Sequence, residues 1–321
     1  MIILTGGAGF IGSCFLRKLN QEGINDIIVV DHLGESSKWK NLNGKKFFDY
    51  FYKYDFINKL KQGIFGDSIN TIVHFGACSS TTETDADYVL DNNYHYSKEL
   101  ANYASEKKIR FIYASSAATY GNGEMGYSDD KFDGFKPMNV YGFSKHLFDM
   151  WVIENKLDKK FTGLKFFNVF GPNEYHKQEM ASMVYKSFLQ IERSGKVQLF
   201  KSNTPEYADG CQLRDFVYVK DTLDIIYKIF LNTEISGIFN LGSGKARNWN
   251  DLAKSVFAAM NKTPHIEYVD MPASLENQYQ NFTQADMDKL DKILGGLHFR
   301  SLEDNIADYV DNHLLKKDKY F

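Results

Sequence analysis

The chain begins MIILTGGAGFIG over residues 1–12, and this stretch decides the fold prediction. A short apolar run at 2–4 precedes the evenly spaced glycines Gly6, Gly9 and Gly12, and a helix-like segment follows at 13–19. In such a unit the first glycine permits a tight turn, the second lets the backbone approach a pyrophosphate, and the third allows close helix packing. The helix N-terminus adds free N–H groups. The stretch therefore predicts a dinucleotide-binding loop, with a merely tight turn as the simpler alternative.

A second apolar run at 27–30 ends in Asp31, which supports the dinucleotide interpretation. A carboxylate at this position hydrogen-bonds the adenosine ribose of NAD. Lys38, Lys40 and Lys53 follow where cations can meet the 2′-phosphate of NADP, although most lysines are simply solvated surface residues. These residues alone leave NAD and NADP as equal alternatives.

The first half of the chain alternates short apolar runs with helix-like stretches. Apolar runs at 27–30, 71–75 and 110–115 predict buried strands, and 90–107 has the pattern of a crossover helix. Parallel strands covered by helices on both faces are the usual solution to such alternation. We therefore predict an α/β protein with a Rossmann-type doubly wound parallel sheet. The Gly- and Asp-rich stretch 121–135 is predicted to be a surface loop.

Beyond Asn168 the pattern loosens, which predicts a smaller C-terminal α/β domain packed on the first. A stretch with Gly, Pro and Tyr precedes a helix-like run at 180–191. We assign residues 1–167 and 211–241 to the dinucleotide-binding domain. Residues 168–210 and 242–321 are assigned to a substrate-binding domain.

Tyr141 and Lys145 form a Y-x-x-x-K motif, whose spacing places both side chains on one face of a helix. A phenol with a pKa near ~10 is a poor base at neutral pH, but an adjacent ammonium and a cationic nicotinamide favour the phenolate. Tyr141 is then able to take the proton of a substrate hydroxyl while a hydride leaves the same carbon. Ser116 ends the run FIYASS at the sheet edge where ligands of such folds bind, and we expect it to hold the reacting oxygen.

Composition excludes several classes of protein. The chain has 321 residues, 43% hydrophobic and 25% charged, with a net charge of -3, so no basic surface for nucleic acid or a membrane is expected. Cys14, Cys78 and Cys211 are widely separated and lie in no Cys/His cluster, which predicts neither disulfides nor a metal site. We find no secretion signal, and no apolar run approaches the ~20 residues of a membrane span. A cytoplasmic protein is therefore expected.

The chain resembles the extended short-chain dehydrogenase/reductase superfamily in the motifs TGGAGFIG (5–12), YASSAATYG (113–121) and YGFSK (141–145). The segments HFGACSSTTE (74–83) and FFNVFGPNEYHK (166–177) are further similar to the ADP-L-glycero-D-manno-heptose 6-epimerase family. This resemblance implies inversion of C6″ of an ADP-heptose, a precursor of the lipopolysaccharide inner core, with NADP as cofactor and NAD as the alternative. It also implies a homo-oligomer, by family a pentamer.

The resemblance carries functional residues over to particular positions of this sequence. It implies catalytic roles for Ser116, Tyr141, Lys145 and Lys177. It implies cofactor contacts for Gly6, Gly9, Phe10, Ile11, Gly12, Asp31, His32, Lys38, Lys53, Gly76, Ala77, Cys78, Ser79, Asn92, Lys145, Val169 and Lys177. It implies substrate contacts for Asn168, Glu179, Lys186, Phe200, Lys201, Ser202, Asn203, Arg214 and Tyr279.

Lys177 is the residue that would turn an oxidoreductase site into an epimerase site. In the family's scheme Tyr141 and Lys177 each exchange the oxygen's proton in one of two substrate orientations. From sequence alone Lys177 is more often a solvated surface lysine, and Arg214 is as readily a structural ion-pair partner as a diphosphate ligand.

The sequence departs from the family's pattern at several positions. Phe75 stands where the family has an acidic residue. Glu179 replaces a small residue and Lys186 a histidine, and the segment before Arg214 carries the longer insert NTPEYADGCQL. These departures lie mainly at the substrate end of the predicted site.

Three other functions compete with this interpretation. A 4,6-dehydratase needs an Asp-Glu pair just after the catalytic serine, where this chain has Ala117-Ala118-Thr119. A 4-epimerase has little use for Lys177. A non-catalytic NADP-sensing protein usually loses the Tyr or the Lys of the motif, whereas Tyr141 and Lys145 are both present here.

Overall fold

The structure, a computed structural model, describes residues 1–273 and 279–321. Its strands are β1 Ile2–Thr5, β2 Ile27–Asp31, β3 Asp49–Tyr52, β4 Thr71–His74, β5 Arg110–Ser116, β6 Thr162–Phe166, β7 Asn168–Phe170, β8 Val197–Phe200, β9 Leu213–Tyr218, β10 Gly237–Leu241, β11 Ala246–Asn248 and β12 Ile266–Val269. Its α-helices are α1 Phe10–Gln21, α2 Lys53–Lys61, α3 Ala86–Leu90, α4 Tyr96–Glu106, α5 Val140–Glu154, α6 Met183–Ser194, α7 Val219–Leu231, α8 Trp249–Ala259, α9 Asp288–Leu294 and α10 Leu302–Tyr309. Shorter 3₁₀ or π turns include Ser37–Leu42, Asp91–His95, Ala117–Tyr120, Leu157–Lys159, Tyr175–Met180 and Val310–Leu314.

Seven strands form a parallel central sheet in the order β10-β6-β5-β4-β1-β2-β3. The direction of winding reverses at β1, where Leu4 lies opposite Val29 of β2 and Val73 of β4. Strands β1, β2 and β4 are buried along their whole length, which explains why they appear in the sequence as continuous apolar runs. The predicted α/β class with a Rossmann-type doubly wound sheet is confirmed.

The sequence analysis does not predict three strands of this sheet, β3, β6 and β10. The first of these, β3, is an edge strand. Its residues are exposed or half-buried, and its pairing within the described residues is with β2. Because an edge strand buries little of its surface, it carries no continuous apolar run that would mark it.

Helices cover both faces of the sheet. On one face α1 packs on α7, and Phe15 and Ile226 share a core. On the other face α4 and α5 bury Leu100 and Phe148. The helix predicted over 90–107 forms the second part of a longer helical run, in which the π turn Asp91–His95 separates α3 from α4.

The remaining strands form two small sheets beside the central one. Strands β7, β9 and β11 form a three-stranded sheet, and β8 pairs with β12. Strand β9 lies in this second unit, whereas α7 packs on α1 and β10 on β6 of the central sheet. If the two units are divided by sheet membership, the chain goes back to the central-sheet unit after Tyr218. The sequence analysis places this point at residue 211, and that boundary stays a prediction.

The loop predicted over 121–135 contains no helix or strand. Its side chains nevertheless anchor it, because Tyr127 and Phe135 pack with Tyr120 and Phe167 in a small apolar cluster. This cluster holds the loop beside the carboxyl end of β5, at the sheet edge where the candidate site lies.

Candidate active site

The phosphate loop joins β1 to the N-terminus of α1 and has no space for side chains at two of its glycines. Gly6 has φ +69°, and a Cβ there would lie 2.5 Å from the backbone nitrogen of Gly76. A Cβ on Gly12 would lie 2.1 Å from the Gly6 carbonyl oxygen. Gly9 is the N-cap of α1, with no side-chain cap bond. The loop therefore leaves backbone N–H groups facing a space that a diphosphate can fill.

A cleft of about 970 Å³ extends from this loop to α6 and β8. The predicted residues that line it are Gly6, Gly9, Phe10, Ile11, Gly12, Asp31, Lys38, Gly76, Ala77, Cys78, Ser79, Ser116, Tyr141, Lys145, Asn168, Val169, Lys177, Glu179, Lys186, Phe200 and Tyr279. The predicted residues outside its lining are His32, Lys53, Asn92, Lys201, Ser202, Asn203 and Arg214. The structure thus brings the four predicted catalytic residues to one cleft.

Ser116, Tyr141 and Lys145 reach the cleft from β5 and α5. Ser116 ends β5, and the following 3₁₀ turn begins there because the Ser116 hydroxyl accepts a hydrogen bond from the Ala118 N–H at 3.1 Å. Asn139 caps α5 by accepting from the Gly142 N–H at 2.8 Å, which places Tyr141 in the first helical turn. The Tyr141 hydroxyl bonds the Ser116 side chain.

Burial dominates the electrostatics of this trio. It raises the pKa of Tyr141, while the hydrogen bond with Ser116 lowers that pKa. Burial also lowers the pKa of Lys145 to about 8, although Asp149 one turn further along α5 raises it. The Lys145 Nζ donates to the Ala114 carbonyl at 2.9 Å. Burial is therefore the largest influence on the pKa of Tyr141, and the group that lowers this pKa is Ser116 rather than the expected Lys145.

Lys177 lies across the cleft, on the 3₁₀ turn Tyr175–Met180. Its Nζ is 5.8 Å from the centre of the Phe10 ring. Burial lowers the pKa of Lys177, and the buried carboxylate of Glu174 raises it. A lowered pKa makes the neutral amine of Lys177 easier to form, which suits a group that exchanges protons with a substrate. The solvated-surface alternative for Lys177 does not fit this placement.

Asp31 and Lys38 form an ion pair at the far end of the phosphate loop, with Oδ1 and Nζ 2.6 Å apart. The same carboxylate accepts from the Ala8 N–H at 2.8 Å and from the His32 N–H at 2.7 Å. Beyond it, Lys53 donates to the Asn92 side chain. Lys38 thus neutralises the carboxylate that would otherwise repel a 2′-phosphate.

Arg214 lies behind the opposite end of the cleft and is 5% exposed. Its guanidinium is 4.9 Å from the centre of the Tyr279 ring and 5.6 Å from that of Trp249, and both rings line the cleft. Burial lowers its pKa. Glu179 and Lys186, the two departures from the family pattern, pair with each other at 3.5 Å.

Sequence reasoning missed several residues that shape this site. His176, Gln190, Gln198 and Trp249 also line the cleft. No motif marks them, because each reaches the cleft through the packing of elements far apart in the chain. For His176, its position directly before the predicted site residue Lys177 was a signal that it could reach the cleft.

Disulfides and metal clusters do not appear in the part of the chain that the structure describes. Cys14, Cys78 and Cys211 are free. Within residues 1–273 and 279–321, no three His, Cys, Asp or Glu side chains are grouped to hold a metal ion. The helices of the same ranges include none with the length and apolarity to cross a membrane.

Residues 2–242 match the model of the NAD dependent epimerase/dehydratase family. The chain is 49% identical over 323 residues to an ADP-L-glycero-D-manno-heptose-6-epimerase of Nitratidesulfovibrio vulgaris (strain DP4), with 100% of each chain covered. It is 47% identical over 331 residues to the enzyme of that name from Fusobacterium nucleatum, again with 100% of each covered. The crystal structure of the Helicobacter pylori ADP-L-glycero-D-manno-heptose-6-epimerase superposes with a TM-score of 0.82 at 30% identity, over 97% of this chain and 95% of the other.

Proposed function

The chain belongs to the NAD-dependent epimerase/dehydratase family and, within it, to the ADP-L-glycero-D-manno-heptose-6-epimerases, and we propose that it interconverts the C6″ epimers of ADP-glycero-D-manno-heptose with bound NADP. The observation that carries this proposal is the placement of Tyr141 and Lys177 on one cleft. Inversion requires proton exchange with the substrate oxygen in two orientations. A site with two such groups supports inversion better than simple dehydrogenation.

The chain's own residues perform the proton chemistry. Ser116 bonds the C6″ oxygen, and Tyr141 takes its proton as the C–H bond breaks, which leaves a ketone at C6″. NADP held at the phosphate loop would supply the acceptor and then the donor of the hydride at C6″. After the ketone presents its other face, Lys177 donates a proton to the oxygen as the new C–H bond forms, which gives the inverted alcohol. Tyr141 then releases its proton to solvent and Lys177 takes one up, so the cycle leaves the enzyme with no net change in electrons or protons.

The residues around the phosphate loop fit NADP. The space at Gly6 and Gly12 admits backbone only, as close approach to a pyrophosphate requires. Asp31 is already neutralised by Lys38 at 2.6 Å, which favours a 2′-phosphate over a bare ribose at this point. NAD remains the alternative cofactor, in line with the family's description.

The substrate end is proposed to hold the ADP-heptose. Arg214 and Lys186 supply cations for the diphosphate, and the planar guanidinium suits phosphate oxygens. Arg214, Lys201, Ser202 and Asn203 lie outside the cleft lining. Their substrate contacts therefore require the ligand to reach beyond it.

We further propose that the enzyme works in the cytoplasm, where its nucleotide-sugar substrate and NADP are made, and that it assembles as a homo-oligomer, by family a pentamer. Analytical ultracentrifugation of the purified protein tests the assembly. A monomer at micromolar concentration would contradict it.

The deciding experiment incubates the protein with ADP-D-glycero-D-manno-heptose and follows the C6″ configuration by NMR. We expect an equilibrium mixture of the two epimers, which should form about 10²- to 10⁴-fold more slowly with Tyr141→Phe at the same protein concentration. UDP-glucose and UDP-N-acetylglucosamine serve as comparison substrates. Turnover of these sugars at C4″ would instead assign a 4-epimerase, and no turnover of any of the three would leave the NADP-sensing alternative.

A further inference from the structure

Asn41 joins three segments of the site with one buried carboxamide. It lies on the 3₁₀ turn Ser37–Leu42 and is 1% exposed. Its Nδ2 donates to the Ala8 carbonyl and to the Asn173 carbonyl, each at 3.0 Å. The Nδ1 of His176 lies 3.3 Å from the same nitrogen.

The partners of Asn41 belong to different functional parts. Ala8 is in the phosphate loop, and Asn41 follows Lys38 on the turn that faces the adenosine end. Asn173 and His176 flank the start of the turn that carries Lys177. Losing this buried donor would leave the Ala8 and Asn173 carbonyls without the contact that joins their two segments.

The turn that carries Lys177 depends on such outside contacts. The span Tyr175–Met180 consists of two short helical pieces separated by a kink at Gln178, the residue after Lys177, whose φ 48° and ψ -119° are not helical. Glu174 fixes the turn towards α6 by accepting from the Ser182 hydroxyl at 2.7 Å. Asn41 fixes its other side, towards the phosphate loop.

We propose that Asn41 is a positioning residue for Lys177, holding the 173–177 segment against the phosphate loop so that the Lys177 amine faces the reacting carbon. The inference rests on the proposed role of Lys177 as the second proton-exchange group. In this arrangement the loop that holds the cofactor diphosphate and the segment that holds the second acid–base group share one anchor. Displacement of a reacting group by about 1 Å can slow an enzyme by about 10²-fold.

A double-mutant comparison tests the inference. Asn41→Ala is expected to lower kcat for epimerisation by about 10- to 100-fold in the parent enzyme. In the Lys177→Met background the same substitution should change kcat by less than about twofold, because it acts through an amine that is already absent. Equal fold-losses in both backgrounds, or no loss in the parent, would overturn the proposal.

Asn20→Ala is the matched control. The Asn20 Nδ2 also donates to two backbone carbonyls, those of Ile24 and Lys46, at 3.1 and 2.8 Å. It lies at the C-terminal end of α1, about 15 Å along the helix from Phe10. Its substitution should lower thermal stability with less than about twofold change in kcat in either background. An effect on kcat as large as that of Asn41→Ala would assign the loss to general destabilisation and overturn the proposal.

A second readout separates positioning from loss of structure. Single-turnover reduction of bound NADP by each epimer is followed by the absorbance of reduced nicotinamide. Lys177→Met should slow the reaction of one epimer more than that of the other, and Asn41→Ala should slow the same epimer. If Asn41→Ala does not fold, Asn41→Ser, whose hydroxyl retains one donor, should show the same bias more weakly. Equal slowing of both epimers would overturn the inference.

The outcomes for the proposed function are distinct. If the parent enzyme does not epimerise ADP-heptose, the function fails. If the parent does so and Lys177→Met is impaired while Asn41→Ala is not, the positioning inference fails alone.

Discussion

Replacing Lys177 by methionine removes the second proton-exchange group while keeping most of the side chain. The methionine keeps an apolar stem of similar length and removes the Nζ, which lies 5.8 Å from the centre of the Phe10 ring. The turn keeps its anchors, because Glu174 still accepts from the Ser182 hydroxyl at 2.7 Å and from the Gly171 N–H at 3.2 Å. The substitution therefore removes chemistry rather than shape.

The expected loss follows from this geometry. One positioned acid–base group contributes about 10²- to 10⁴-fold to a rate, which corresponds to about 2.7–5.5 kcal/mol in activation free energy. Tyr141→Phe should cost a similar factor, since each group serves one orientation of the substrate. Neither variant should weaken cofactor binding much, whereas Lys145→Met should lower activity and NADP affinity together.

The assay pairs epimerisation followed by NMR with titration of the cofactor by calorimetry. Lys196→Met is the control. Lys196 has an acidic neighbour as Lys177 does, with its Nζ 2.8 Å from the Glu267 carboxylate, but it does not line the cleft. This variant should keep full activity. If Lys177→Met stayed within about tenfold of the parent, a loss too small for an acid–base group, the two-base scheme would lose its second base.

Four further outcomes are expected. NADP⁺ should bind more tightly than NAD⁺ in calorimetry, with Lys38→Ala narrowing the gap; equal affinities in the parent would leave Asp31 as the ribose contact. In D₂O the hydrogen on C6″ should not exchange during epimerisation, and NMR detection of deuterium there would indicate proton abstraction from carbon. Asp149→Ala should lower the free energy of unfolding, measured in urea, by about 3–5 kcal/mol. The Lys165 ammonium is wholly buried and lies 2.6 Å from the Asp149 carboxylate, so the substitution leaves it without its ion-pair partner. A loss below about 1 kcal/mol would contradict this expectation. Without cofactor, the free energy of unfolding of the parent should rise relative to that of Lys145→Met as pH increases from about 8 towards 10.5. In this range the folded Lys145, whose pKa is lowered to about 8, has lost a proton that the unfolded lysine still holds. If the difference in unfolding free energy between the two proteins stayed constant over that range, the lowered pKa of Lys145 would be refuted.

The local motifs of this protein are determined by the sequence alone. Three glycines at fixed spacing mark a strand-to-helix loop, and at Gly12 the need for glycine arises locally, because a Cβ there would meet the Gly6 carbonyl oxygen. Tyr141 and Lys145 lie on one face of their helix because residues four positions apart in a helix are neighbours on its surface. Strands β1 and β2 could be recognised because each is apolar along almost its whole length, whereas the equally buried β6 contains Lys165 and was not predicted. The fold class and the catalytic trio could therefore be predicted.

Only the tertiary structure decided the environment of residues for which the sequence leaves two interpretations open. Lys177 is a cleft residue rather than a surface one because a kinked turn packs it against Phe10. Burial, which no motif encodes, is the largest influence on the pKa of Tyr141 and raises it. Asn41 contacts Asn173 from 132 positions away in the chain. Contacts of this kind depend on how separate elements pack, and a single sequence carries no signal for the distance between them.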